Sequence, residues 1–140
     1  MMRLKWKKYN YTAQMGPGNS FVYRPLIRIN ISARSGGENM TIDAMIDSGT
    51  DSTVLNADIA RAIGIDLSKC SRIKLGGIGS TEGYLSNVVV KVPDFKVVMD
   101  VPVAFAENPP FDGLLGQRHF FQRFKITFEK RLNIFRVAAV

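Results

Sequence analysis

The chain has 140 residues, 46% apolar and 22% charged, with a formal charge of +7. That length suits one domain with a buried core and leaves no room for two large ones. The composition excludes a disordered chain, and no window reaches the roughly 18 uninterrupted apolar residues of a membrane helix.

The start carries Arg3, Lys5, Lys7 and Lys8 and lacks the apolar stretch of a signal peptide, so a cytoplasmic location is expected. Cys70 is the only cysteine and His119 the only histidine. They supply no disulfide within the chain and no ligand set for structural zinc, and no metal or other cofactor is expected. Cys70 reads as a small packed side chain, because no motif supports a nucleophile paired with His119. Beyond the start, the basic residues are scattered rather than gathered into a phosphate footprint. Trp6, Tyr9 and Tyr11 near that basic start keep a nucleic-acid-binding β-barrel among the alternatives.

Residues 3–12 alternate loosely and suggest an irregular strand, followed by a loop around Gly16, Pro17 and Gly18. Residues 21–33 form the clearest period-two run: Phe21, Tyr23, Pro25, Ile27, Ile29, Ile31 and Ala33 share one face. Pro25 lacks a ladder donor, which places a strand start or an edge there. After a hairpin loop at residues 35–39, a second strand carries Ile42, Ala44 and Ile46 inward and ends at Asp47. Asn56 is positioned to cap a short helix over residues 57–63 that Gly64 closes. Strands follow at residues 72–75, 84–92 and 95–105, then a short apolar one at residues 111–116. Phe120, Phe121 and Phe124 fit one side of a short helix, and residues 126–137 close the chain as a hairpin. About eight strands and two short helices make a mainly antiparallel β fold, closed or folded over as a barrel.

Two segments carry candidate chemistry. Asp47-Ser48-Gly49-Thr50-Asp51 leaves one apolar run and enters another. Alone, Asp-Ser-Gly is also an ordinary turn tripeptide, since Asp and Ser hydrogen-bond their own backbone and Gly supplies positive φ. Gly76, Gly77 and Gly79 suit either a plain tight turn or a hairpin tip that moves. A phosphate loop does not fit, because no Gly-Lys-Ser/Thr follows and the spacing departs from G-x-G-x-x-G.

In combination these segments resemble the retropepsins, the single-domain aspartic proteases of retroviruses and their cellular relatives. DSGTDSTVL at residues 47–55 resembles the family's D-[ST]-G-A-D-x-T-V-L active-site segment. LGGIGSTEGY falls where the family has its substrate-covering flap, and GLLGQRHFF at residues 113–121 resembles its apolar-apolar-Gly strand and helix. The likeness spans about residues 21–137 and is nearest to bacterial single-domain members.

The resemblance implies an all-β fold, a closed antiparallel barrel of the retropepsin type with one or two short helices. It implies a protease domain over residues 21–140 behind a basic arm at residues 1–20. It makes Asp47 the catalytic acid, with Ser48, Gly49, Thr50 and Asp51 as loop support. Gly76, Gly77, Ile78 and Gly79 become the flap, and Leu114, Leu115, Gly116, Gln117 and Arg118 the strand-helix motif. One Asp-Ser-Gly per chain implies a homodimer, whose interface the resemblance places at the terminal strand, residues 133–140. The substrate would be an extended peptide, with Ile78, Val54 and Leu114 as pocket candidates. Thr50 stands where Ala is commoner, and its hydroxyl is expected to donate to the Asp47 carboxylate. Asp51, beside the core, is expected to need a partner, either Arg118 or Gln117, which replaces the family's Arg. The alternatives are a retropepsin-fold module that binds peptides without turnover and the basic nucleic-acid binder.

Overall fold

A computed structural model describes residues 3–75 and 81–140, so the expected flap residues Gly76, Gly77, Ile78 and Gly79 lie outside the described residues. The basic start forms two short strands, β1 (Lys7–Asn10) and β2 (Thr12–Met15). The period-two run that follows is two strands, not one: β3 (Phe21–Arg24) and β4 (Leu26–Ala33) part at Pro25. Proline has no N–H to donate, and its carbonyl accepts instead from Ile46 N–H at 3.0 Å. β3 leaves the barrel and, among the described residues, pairs only with β2. Phe21 and Tyr23 therefore do not share the buried face of the isoleucines; they are 67% and 45% exposed.

Alternation builds the barrel. In β4, Ile27, Ile29, Ile31 and Ala33 are buried, and in β5 (Asn39–Ile46) Ile42, Ala44 and Ile46 face them. β6 (Thr53–Asn56) buries Thr53 and Leu55, then α1 (Ala57–Ala62) covers one end with Ala57, Ile59 and Ala60. Asn56 caps α1 by accepting from Asp58 N–H at 3.0 Å, and Gly64 ends it at φ +84°, a conformation costly for any residue with a Cβ. β7 (Ser71–Leu75) and the long β8 (Thr81–Val92) pair antiparallel, and β9 (Val97–Ala106) turns back along β8. β10 (Gly113–Leu115) leads to α2 (Phe120–Arg123), and β11 (Phe124–Glu129) and β12 (Ile134–Ala139) form the last hairpin.

Neighbouring strands run β4-β5-β10-β6-β9-β8, and β8 pairs back onto β4, which closes a six-stranded barrel with β7 attached outside β8. Two pairings are parallel, β10 with β5 and β6 with β9. Among the described residues twelve strands occur where the pattern suggested about eight; the arm divides into two, Pro25 splits another and β6 follows the loop without having been expected. Among the described residues, no helix is long and apolar enough to cross a membrane.

A second sheet, β1-β12-β11, packs on the barrel. Phe120 and Phe124 are buried with ring centroids 4.8 Å apart, and Phe124 meets Phe95 at 5.3 Å. β12, expected at a dimer interface, pairs with β11 along its whole length and with β1 at residues 134–137, so that Ala138 and Ala139 extend past the β1 pairing.

Tyr9 fastens β1. Its ring stacks on Phe135 at 5.1 Å and its hydroxyl donates to Asp94 at 2.8 Å. Burial first, and then the Asp94 hydrogen bond and charge, hold the Tyr9 phenol well above its ordinary range. A raised folded-state pKa contributes stability that is complete below the unfolded value of about 10 and declines as pH rises above it. Tyr9→Phe should therefore cost about 0.5–1.5 kcal/mol at neutral pH, with the gap to wild type narrowing above about pH 10. Urea unfolding of both proteins across that range measures it.

Candidate active site

Asp47 stands where a buried strand stops. Ile46 is 3% exposed, and Asp47 N–H donates to Leu115 O at 2.9 Å, so pairing with β10 continues to the first loop residue. Inside the loop, Gly49 N–H donates to Asp47 Oδ1 at 2.8 Å and Thr50 N–H to Asp47 O at 3.4 Å. These bonds fix the carboxylate on its own turn, the Asx geometry that short polar residues favour. Asp47 is half-buried, while Ser48 and Gly49 are exposed.

The Thr50 hydroxyl does not reach Asp47. It donates to Ser52 O at 3.3 Å, so the expected side-chain donor is replaced by the Gly49 amide. Asp51 also differs from expectation. It is exposed, and no ion pair holds it or Arg118 among the described residues. A carboxylate in water needs no partner, which removes the reason for expecting one. Arg118 meets Asp51 through the backbone instead, its N–H donating to Asp51 O at 2.8 Å.

β10 and its sequel clamp the loop from below. Leu115 is buried, while Leu114 lies half-buried toward a cleft. A Cβ at Gly116 would sit 2.6 Å from both Thr50 O and Ser52 O, so only hydrogen fits there. Gln117 N–H donates to Thr50 O at 2.9 Å, and its side-chain amide Nε2 donates to Ser48 O at 2.7 Å. Gln117 thus holds the loop as a neutral donor, though its partner is the Ser48 carbonyl rather than Asp51.

The chain then turns sharply at His119, with φ +67° and ψ −63°. Phe120 N–H donates to Arg118 O at 2.8 Å, which closes a γ-turn of the rarer, strained hand. Gln122 Oε1 accepts from His119 N–H at 2.9 Å and steadies the turn. Nothing in the sequence signals this conformation, because the residue is not glycine.

Beside the loop lies a cleft of about 670 Å³. Gly49, Thr50, Asp51 and Ser52 form one rim, and Val54 and Leu114 are among the other lining residues, while Ile78 lies outside the described residues. Ile73, Leu75 and Leu85 supply an apolar side that sequence reading did not single out, and the Asn108-Pro109-Pro110-Phe111 segment supplies another. Those prolines signal a stiff turn but not what it faces. Arg118 and His119 complete the wall. Among the described residues, no three His, Cys, Asp or Glu side chains gather as a metal site. Tyr9 and Tyr11 turn inward onto Phe135, at 5.1 and 5.9 Å, and so offer no open platform for stacking bases.

The sequence matches the family described as aspartyl protease over residues 31–118, more than half of the chain. The chain belongs to the aspartyl protease family. The matched span runs from β4 to Arg118 and so contains the loop, the cleft residues Val54 and Leu114, and the clamp.

Solved structures agree on the retropepsin-like fold. A retropepsin-like aspartic protease from Rickettsia conorii is similar at TM-score 0.59 and 16% identity, over 99% of this chain and 97% of that one. EIAV protease in complex with the inhibitor HBY-793 is similar at TM-score 0.54 and 17% identity, over 71% of this chain and 86% of that one. The retroviral protease-like domain of Ddi1 from Leishmania major is similar at TM-score 0.51 and 14% identity, over 83% and 94%. Comparison with curated protein sequences gives no match.

The Gly116 contact makes a direct prediction. Gly116→Ala should push the Thr50 and Ser52 carbonyls apart and destabilise the protein by about 1–3 kcal/mol, the usual cost of overpacking. Denaturant unfolding reads the loss, and an unchanged midpoint contradicts the close approach.

Proposed function

We propose that this protein is an aspartic endopeptidase that works as a homodimer, with one Asp47 carboxylate from each copy. The observation that carries the reading is the seat of Asp47. A carboxylate is fixed at the end of a buried strand by the Gly49 amide, on a partly exposed loop that borders a peptide-sized cleft. Membership of the aspartyl protease family supports it, and so does the likeness to a retroviral protease solved with an inhibitor.

The mechanism follows from pairing the loops. Two facing carboxyl groups share one proton, because both cannot ionise cheaply at short range. The ionised Asp47 takes a proton from a water held between them, and the oxygen attacks the scissile carbonyl carbon. The protonated Asp47 of the second copy gives its proton to the carbonyl oxygen, leaving a tetrahedral diol. Collapse of the diol breaks the C–N bond as a proton moves to the departing nitrogen, yielding a carboxylic acid and an amine. Ser48 and Gly49, exposed on the loop, are the residues available to meet the facing loop. A peptide would lie extended, with alternate side chains set against Val54, Leu114, Ile73 and Leu85. Gly76, Gly77, Ile78 and Gly79, between β7 and β8, are proposed as the flap.

Asp47→Asn tests the proposal. It should lower cleavage of an unfolded protein substrate by a thousandfold or more, on the order seen when a group acting in the transition state is removed. Its circular dichroism and sedimentation should match wild type. Wild-type activity is expected between about pH 4 and 7, where carboxyl pairs of this kind operate. A wild type that binds peptides in that range but never cleaves them would favour the binding-module reading.

A further inference from the structure

Of the ten arginines, Arg28, Arg34, Arg61, Arg72 and Arg136 pair with carboxylates. Of the five without such a pair among the described residues, Arg118 is the one that lines the cleft. Arg118 is exposed, lines the cleft, and has no carboxylate partner among the described residues. Residues 76–80 contain no Asp or Glu that could supply one.

Its backbone is fixed on both sides. Arg118 N–H donates to Asp51 O at 2.8 Å, and Arg118 O accepts from Phe120 N–H at 2.8 Å. The strained turn at His119 lets consecutive side chains, Arg118 and His119, border one cleft. Strain retained at a cleft wall is more often tied to ligand contact than to stability. Two acidic residues also line the cleft, Glu107 and Asp51. Glu107 is held by Arg61, which it shares with Asp58. Asp51 is exposed, and its backbone carbonyl rather than its carboxylate meets Arg118.

We infer that Arg118 is a specificity residue that takes an acidic side chain of the substrate, so that the preferred peptides are apolar around the cleaved bond and carry one Glu or Asp a few residues away. The inference rests on the cleft being the peptide site proposed above. A guanidinium presents a planar fork matched to a carboxylate, and such charge-assisted bonds are stronger than neutral ones. The formal charge of +7 draws acidic peptides rather than basic ones from solution.

The test is a series of capped, fluorogenic ten-residue apolar peptides with a single Glu, Gln or Lys moved through successive positions. Specificity is read as kcat/KM for wild type and Arg118→Gln. At one position wild type should prefer Glu over Gln by about tenfold, the size of one good charge-assisted bond. That preference should shrink to about twofold or less in Arg118→Gln and weaken as salt rises. Equal rates for Glu and Gln at every position, a preference for Lys, or a preference unchanged in Arg118→Gln would each overturn the inference. The same peptides are titrated onto the Asp47→Asn protein by fluorescence polarisation, which needs no turnover. Glu-selective binding lost in the Asp47→Asn, Arg118→Gln double variant upholds Arg118 even if wild type cleaves nothing. Cleavage without Glu selectivity leaves the endopeptidase standing and removes the role of Arg118.

Discussion

β5 and β6 follow one another in sequence yet are not neighbours in the barrel, because β10 lies between them, parallel to one and antiparallel to the other. The loop from Asp47 to Ser52 must therefore step across a strand, two inter-strand spacings or about 9.6 Å. As it crosses, the carbonyls of Thr50 and Ser52 come down onto the backbone at Gly116. Only a residue without a side chain admits that approach. The amides of Gln117 and Arg118 can then reach Thr50 and Asp51. The position of Asp47 depends on this crossing as much as on its own strand.

Support and exposure are divided sharply along the loop. Beneath it, Ile46, Leu55 and Leu115 are almost completely buried, and each such side chain stabilises the fold by roughly 1.5–3 kcal/mol relative to exposure. Above it, Ser48, Gly49 and Asp51 meet water. Between these layers the fixing is done by hydrogen bonds from amides, including the neutral side chain of Gln117. Neutral donors avoid the desolvation cost of a buried ion pair while still specifying one geometry. A carboxylate presented this way rests on rigid elements and stays open on the side where a reactant must arrive.

The barrel was legible wherever one face of a strand is wet. Period-two alternation marked β4 and β9, because most of their outward residues are polar and their inward ones are Ile, Val, Met, Phe or Ala. It failed at residues 21–25, where Phe21 and Tyr23 continue the rhythm of Ile27 but belong to a hairpin outside the barrel. Periodicity records which residues alternate, not which layer receives them. The parallel pairings were also hidden, since partners as distant as Val54 and Ala104 leave no local signal. At the site, Asp47, Gly49 and Gly116 stood out because motif and backbone chemistry coincide there. The Thr50 hydroxyl, the exposure of Asp51 and the turn at His119 did not, because each is set by which backbone atom happens to lie closest. An apolar run can be read from composition; a hydrogen-bond partner within a loop cannot.

The arrangement of the second sheet bears on how two copies would meet. β12 pairs with β11 along its whole length and with β1 at residues 134–137, where Tyr9 ties β1 to both Phe135 and Asp94. Ala138 and Ala139 extend past the β1 pairing. In the proposed pair, contact is open to the exposed loop residues Ser48 and Gly49, to residues 138–140 and to the edges β1 and β11. Two short loops bury far less than the roughly 1,200 Å² of a stable interface, so a sheet edge has to contribute. β1 carries Lys7 and Lys8 on a short strand, the features that discourage edge pairing. β11 is longer, and it alternates Lys125, Thr127 and Glu129 with Phe124, Ile126 and Phe128. Its Glu129 is already paired with Arg136 of the same chain, so the edge offers Lys125 as its uncompensated charge and Ile126 and Phe128 as its apolar contacts. In the proposed pair, chemistry belongs to the loop and assembly to the sheet, and the two could be separated by mutation although both come from one short chain.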